Sequence, residues 1–126
     1  MRPMDILRDA RCDLLNVGMI RILDAIIGGS WIDILHIAPP CTTFTTAVTP
    51  PRRTPESPHG RPGLSQAVVA ELWRGVRLIM IAAHFFVLQD STGGAAGLEH
   101  PLKTLALLIP DFVKALQPFE WGVFDF

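Results

Sequence analysis

One cysteine stands where it could support chemistry. Cys41 follows Pro39 and Pro40, which end a short apolar stretch predicted to be a buried strand. A thiol just past the carboxyl end of such a strand lies where open α/β sheets bind their ligands. Cysteine acts as a nucleophile when its site favours the thiolate. The commoner role of a lone cysteine, a small buried apolar residue, remains the alternative.

A carboxylate follows the next predicted strand along the chain. Glu99 comes after the apolar stretch 95–98 and before Pro101. If the two strands are parallel, Glu99 and Cys41 leave the sheet at the same edge. A solvated surface carboxylate is an equally good interpretation of Glu99. The two residues together suit the addition of a nucleophile to a substrate that an acid polarises.

Two motifs carry a family resemblance. Pro39-Pro40-Cys41-Thr42-Thr43-Phe44-Thr45 resembles the Pro-Cys-x-x-Phe-Ser motif of cytosine-C5 DNA methyltransferases, and Leu98-Glu99-His100-Pro101 resembles their Glu-Asn-Val or Glu-Asn-Pro motif. The resemblance implies that Cys41 attacks C6 of a flipped-out cytosine. Glu99 would bind that cytosine near N3 and assist its activation. Thr45 stands where the family usually has Ser, and His100 where it usually has Asn.

Residues beside the two motifs are expected to contact the substrate. Pro51-Arg52-Arg53 and Pro62-Gly63-Leu64, taken with the cysteine motif, also resemble short methyltransferase-like frames of mobile elements. The two arginines are either solvated loop charges, which is slightly the better interpretation, or phosphate contacts. The predicted substrate-binding residues are Pro39, Pro40, Thr42, Thr43, Phe44, Thr45, Arg52, Arg53, His100 and Pro101.

The resemblance implies S-adenosylmethionine as the methyl donor and DNA as a partner. The family's Phe-x-Gly-x-Gly turn and its Gln-x-Arg-x-Arg motif do not occur in the sequence, and Gly28-Gly29-Ser30 follows a predicted helix rather than a strand. We therefore expect a catalytic segment that depends on a second polypeptide or a missing N-terminal half. A non-catalytic methyltransferase remnant acting as an interaction module is the alternative. A thiol enzyme of another class, pairing Cys41 with His36 or His59, is a third hypothesis.

The composition favours a single intracellular domain. The chain has 126 residues, of which 49% are hydrophobic and 18% charged, which fits one folded core. Its net charge is -1, so any DNA contact must be local or shared with another part. Cys12 and Cys41 lack the spacing of zinc ligands, and no metal site is predicted. No apolar stretch is long enough for a membrane span, and nucleus or cytoplasm is expected.

The hydrophobic pattern predicts alternating helices and strands. A helix capped by Asp13 should end at Gly28-Gly29, and the longest helix should begin after Ser65 and end near Gln89. A strand buried on both faces is predicted at 32–38 and a proline-rich catalytic loop at 42–63. A short strand that runs into a turn is predicted at 95–101, short helical turns divided at Pro110 at 105–116, and a last strand at 121–126. The expected fold is α/β, a partial doubly wound, Rossmann-like parallel sheet of about three strands with crossover helices. Residues 1–126 would form one partial methyltransferase-like domain, with 1–12 poorly defined.

The remaining histidines and aromatic residues are predicted to be structural. His36 should be a hydrogen-bonded core residue, His84 should bond a neighbour inside a buried helix, and His59 has no predicted role. The aromatic residues at helical spacing should be core residues rather than a platform for base stacking: Trp73, Phe85 and Phe86.

Overall fold

A computed structural model describes residues 13–101 and 103–120. Over these residues the protein is a small α/β structure with three helices and a two-stranded parallel sheet, so the predicted α/β class is confirmed. The strand predicted at 121–126 and the segment 1–12 lie outside the described residues. The doubly wound sheet of three strands therefore stays a prediction. The elements are α1 (Val17–Gly28), β1 (Ile34–Ile37), α2 (Gln66–Ser91), β2 (Ala95–Leu98) and α3 (Pro110–Leu116).

The helix starts follow from side chains that accept hydrogen bonds from exposed backbone amides. Asn16 caps α1 by accepting from Gly18 N at 2.8 Å and Met19 N at 3.3 Å. The predicted cap at Asp13 is wrong, because its carboxylate instead accepts from Leu15 N in the preceding turn. Ser65 caps α2 as predicted, since its hydroxyl accepts from Val68 N at 3.3 Å.

The sheet joins β1 and β2 in parallel, with α2 as the connection between them. The register pairs Ile34 with Ala95 and Ile37 with Leu98. Alternate residues of each strand therefore point to opposite faces. Leu98 on the inner face packs against the core cluster.

The outer face of the sheet is open, which contradicts the prediction of a strand buried on both faces. Ile34 keeps 75% of its surface exposed, and His36 on the same face is also exposed. The inner side of β1 is only partly buried, since Leu35 and Ile37 keep some exposed surface. The apolar pattern carried no information on the outer side, because a buried strand and a half-covered apolar strand look alike in sequence.

One face of α2 contributes a row of buried residues to the core. Leu72, Val76, Ile79 and Ala83 are buried there, at the spacing of a helical face. Trp73 is 48% exposed, so its predicted place in the core is wrong, whereas Phe85 is buried as expected. Phe86 is partly buried and packs against the core cluster.

The C-terminal elements close the core from the side. A 3-10 turn at Leu105–Leu108 is followed by α3, which begins at Pro110, so the predicted division at this proline is confirmed. Proline suits the first position of a helix, where its missing N–H has no intrahelical partner. The core cluster comprises Phe44, Val76, Ile79, Ala83, Ala106, Ile109, Phe112 and Leu116.

Candidate functional site

The parallel ladder brings the two sequence motifs to one edge of the sheet. Ile37 and Leu98 are partners in the register, and Glu99 N donates to Ile37 O at 2.8 Å. Pro39–Cys41 and Glu99–Pro101 therefore leave the carboxyl ends of adjacent strands. This is the edge at which open parallel sheets bind their ligands.

Cys41 stands at the start of a short 3-10 turn. The turn covers Thr42–Phe44, and Phe44 N donates to Cys41 O at 2.9 Å. Cys41 is a free cysteine and is half-buried. Phe44 belongs to the core cluster, so the residues that follow the thiol are anchored in the protein interior.

A buried arginine holds this turn against α2. Arg53 is only 1% exposed, and its guanidinium donates to Thr43 O at 3.0 Å, Pro58 O at 2.9 Å and Leu72 O at 2.7 Å. It also lies 4.3 Å from the centre of the Phe44 ring. Burial lowers the pKa of Arg53 to about 10, which leaves the side chain charged at neutral pH. One side chain thus joins the Cys41 turn, the proline-rich loop and α2.

The predicted role of Arg53 needs correction. It is neither a solvated loop charge nor a phosphate contact, because its donors are directed at backbone carbonyls in the interior. Thr43 and Phe44 are buried as well, so substrate contact does not fit these side chains either. The predicted contacts that keep accessible surface are Pro39, Pro40, Thr42, Thr45, Arg52, His100 and Pro101.

Arg52 differs from its neighbour. Its Nη1 atom lies 3.1 Å from Glu71 Oε2, and the two side chains are 31% and 49% exposed. Such an exposed pair is weak and can be exchanged for a phosphate. Of the two adjacent arginines, Arg52 is therefore the one that can reach a ligand.

A glycine of α2 permits the close approach of the Cys41 turn. A Cβ atom at Gly75 would overlap the hydroxyl oxygen of Thr43 and would lie 3.3 Å from a ring carbon of Phe44. Only a residue without a side chain allows the helix backbone and the turn to meet here. Gly75 and Arg53 therefore determine how closely the Cys41 turn packs against α2.

His100 lies on the other side of Phe44. The two rings meet edge to face with centroids 5.9 Å apart. Both ring nitrogens of His100 are buried, and neither has a hydrogen-bond partner in the described part of the chain. Burial lowers the pKa of His100, because the imidazolium form loses its hydration there.

Glu99 already has a partner on the outer face of the sheet. Its Oε2 atom lies 3.3 Å from His36 Nε2, with the side chains 57% and 65% exposed. The prediction that His36 is a core residue is therefore wrong. The pair forms because both residues point to the outer face, with Glu99 two residues beyond Gly97, the register partner of His36.

The other two histidines, His59 and His84, also make side-chain contacts at the surface. His59 stacks on Trp73 with ring centroids 4.6 Å apart. His84 Nε2 lies 2.6 Å from Asp24 Oδ1, which ties α2 to α1. The predicted hydrogen bond of His84 is confirmed, but its predicted burial is wrong because its side chain is 53% exposed.

The structural roles of Arg53 and Gly75 had no direct signal in the sequence. The partners of Arg53 are carbonyls 5 to 19 residues away, and a carbonyl has no side-chain identity to recognise. Gly75 stands inside a strong helical pattern, and a glycine there points to close packing. That cue could have identified the contact between α2 and the turn.

The described residues do not fit S-adenosylmethionine. Gly28 ends α1, and Gly29 N donates back to Ala25 O, so this glycine pair closes a helix instead of following a strand. A groove of about 270 Å³ lies between α2 and α3, away from the Cys41 edge. Its lining is mostly apolar and offers little to a charged cofactor: Met80, Ala83, His84, Val87 and Ala115.

Comparison with known proteins leaves the family open. No protein-family model, no curated protein and no solved structure matches the chain. Among residues 13–101 and 103–120, no helix is long and apolar enough to cross a membrane. Over the same residues, no group of three or more His, Cys, Asp and Glu side chains could hold a metal ion.

Proposed function

We propose that this chain is a cytosine-C5 DNA methyltransferase-like catalytic segment. Cys41 is the nucleophile and Glu99 binds the cytosine. The observation that carries the proposal is the parallel β1–β2 ladder, in which Glu99 N bonds the last residue of the strand preceding Cys41. Cys41 and Glu99 are 58 residues apart in the sequence (99 minus 41), and their motifs nevertheless follow the two strands at the same edge of the sheet.

The chemistry requires a base that has left the DNA stack, because C6 is inaccessible within the duplex. The Cys41 sulfur forms a bond to C6, and the C5–C6 π pair moves to C5. Glu99 holds the N3 and amino edge of the ring, which makes C6 a better electrophile. Reversal returns the pair to the ring and expels the thiolate.

The supports of the Cys41 turn suit such a reaction. A nucleophile is effective when its position is fixed before the substrate arrives. Arg53 bonds the turn to α2, and Phe44 is fully buried beneath it. Pro40 and Thr42 remain exposed on either side of Cys41, where a base could approach.

The methyl donor enters this proposal only through the resemblance. S-adenosylmethionine would supply the methyl group for C5, and its binding would require residues other than those at the Cys41 edge. Arg52, whose ion pair with Glu71 is exposed, is available for a contact with DNA phosphate. The residues of this chain account for the attack on C6 alone.

Tritium exchange tests that attack without a methyl donor. Addition of a thiolate at C6 makes C5 take up a proton, so DNA with tritium at cytosine C5 should release it into water. We expect release on single-stranded DNA, where extrusion costs least, and its loss in Cys41→Ser. Glu99→Gln should slow release by about 100-fold or more.

Cys12→Ser is the matched control, since it removes the other thiol of the sequence and should leave the release rate unchanged. Thermal unfolding of every variant checks that the fold is retained. Release that persists in Cys41→Ser, or no release above the buffer rate in the wild type, would refute the proposed attack.

A non-catalytic methyltransferase remnant is the second candidate. The observation in its favour is the His36–Glu99 pair, which occupies the carboxylate that a cytosine would need. The tritium-release assay separates the two candidates. Release that depends on Cys41 supports the catalytic segment, whereas no release above the buffer rate supports the remnant.

A further inference from the structure

The outer face of the β1–β2 sheet has an uneven shape set by the register. On β1 it presents Ile34 and His36, and on β2 it presents Ala95 and Gly97 directly opposite them. Large side chains therefore form a ridge along one strand, and small residues form a shallow floor along the other. Ile34 is 75% exposed, so the ridge is open to solvent.

Physical chemistry disfavours an open face of this kind. Parallel sheets are nearly always covered on both faces, and a sheet of two strands is marginal without added packing. Removing a large aliphatic side chain such as Ile34 from water lowers the free energy of the system. The face is thus suited to a protein partner.

The polar side chains on the face also lie together as a pair. His36 and Glu99 lie 3.3 Å apart at the carboxyl end of the strands, with more than half of each side chain exposed. The face therefore carries a base on the ridge and an acid beside the floor. A surface with both members of a pair can meet a copy of itself without placing like charges together.

We propose that the occupant of this face is a second copy of the chain. A two-fold axis parallel to the strands places β1 of each copy over β2 of the other. Ile34 then packs on Ala95 of the second copy, and His36 lies over Gly97 and next to Glu99 of the second copy. Each ridge fills the other floor, as an isologous interface requires, and the strands stay aligned as in packed sheets.

This inference does not depend on the proposed function, although the two share Glu99. A cytosine bound at Glu99 would compete with His36 of the second copy. Ile34 stands at the opposite end of the strands from Glu99, so changing Ile34 tests the dimer without altering the base site. Failure of the dimer and failure of the thiol attack are therefore observed separately.

Sedimentation equilibrium over a range of protein concentrations tests the dimer. We expect a reversible dimer in the wild type, and a dissociation constant at least about tenfold larger in Ile34→Glu, which buries a charge against Ala95 of the second copy. Val17→Glu is the matched control, because Val17 is 61% exposed at the start of α1 and its change should leave the constant unaltered.

A charge exchange tests the predicted orientation of the two copies. His36→Glu alone places like charges together and should weaken the dimer, whereas the double variant His36→Glu, Glu99→His should restore it. Circular dichroism checks the fold of each variant. A wild type that stays monomeric up to millimolar concentration, equal weakening by Val17→Glu and Ile34→Glu, or no restoration in the double variant would overturn the proposal.

Discussion

At the scale of single residues, the position of the thiol depends on a side chain that cannot reach a ligand. Arg53 offers donors to three carbonyls from three separate segments, and a lysine has no planar fork to match that geometry. Its charge remains buried because those carbonyls and the Phe44 ring replace water around it. The loop 45–64 needs such an anchor, since it contains no helix or strand.

Arg53→Met should therefore destabilise the fold by about 3 kcal/mol, because three carbonyls lose their donor at roughly 1 kcal/mol each. Urea denaturation followed by circular dichroism measures the free energy of unfolding. Arg52→Met is the matched control and should cost less than about 1 kcal/mol, since it removes only an exposed ion pair. Equal losses in the two variants would show that Arg53 is not the anchor of the turn.

The candidate site was partly predictable from residue types. Cys41 and Glu99 could be assigned to one edge because each follows an apolar stretch, and parallel strands end together. The His36–Glu99 pair could not, since it depends on which face each strand turns outward. The place of Arg53 could not either, because burial of a charge depends on carbonyls contributed by distant segments.

At the scale of elements, α2 is the support on which the candidate site is built. Its inner face packs on the core, and its backbone approaches the Cys41 turn at Gly75. Near its C-terminus, Gln89 is fully buried and donates from Nε2 to Ile32 O at 2.7 Å, which fixes the helix to the entry of β1. The same helix therefore positions both the strand before Cys41 and the turn after it.

Gly75→Ala should destabilise the protein by about 1–3 kcal/mol, although alanine normally favours a helix. The added methyl group would overlap the Thr43 hydroxyl and crowd the Phe44 ring. Gly28→Ala is the control, because a Cβ there would make only ordinary contacts of 3.9 Å with Leu88 and should be neutral or stabilising by up to about 1 kcal/mol. Thermal melts compare the two, and a stabilised Gly75→Ala would disprove the close contact.

The helices were easier to predict than the strands for a physical reason. A helical face repeats over many residues, so the limits of α2 followed from Ser65 and the apolar spacing. Each strand has four residues, too few for the pattern to reveal whether one face or both are covered. The open face of β1 is therefore a property of the tertiary structure that the local sequence does not encode.

At the scale of the whole molecule, burial is distributed unevenly around the sheet. The core cluster lies on the inner side, where Phe44 joins the Cys41 turn to α2 and α3. The outer side carries exposed apolar and charged residues instead. His100 stands at the boundary of the core, next to Phe44, so its protonation is coupled to the stability of the whole fold.

The free energy of unfolding should therefore fall as the pH is lowered below about 6.5, the ordinary pKa of histidine. Burial holds the pKa of His100 below that value in the folded state, so the unfolded chain binds the proton first and gains stability relative to the fold. Above pH 6.5 both states are neutral at His100 and its contribution to stability is fully present.

Urea denaturation at a series of pH values between 8 and 5 measures this slope, and His100→Asn should flatten it. Asp13 does not interfere, because its lowered pKa confines its effect to pH values below 3.8. An identical slope in wild type and His100→Asn would assign the pH dependence to other groups.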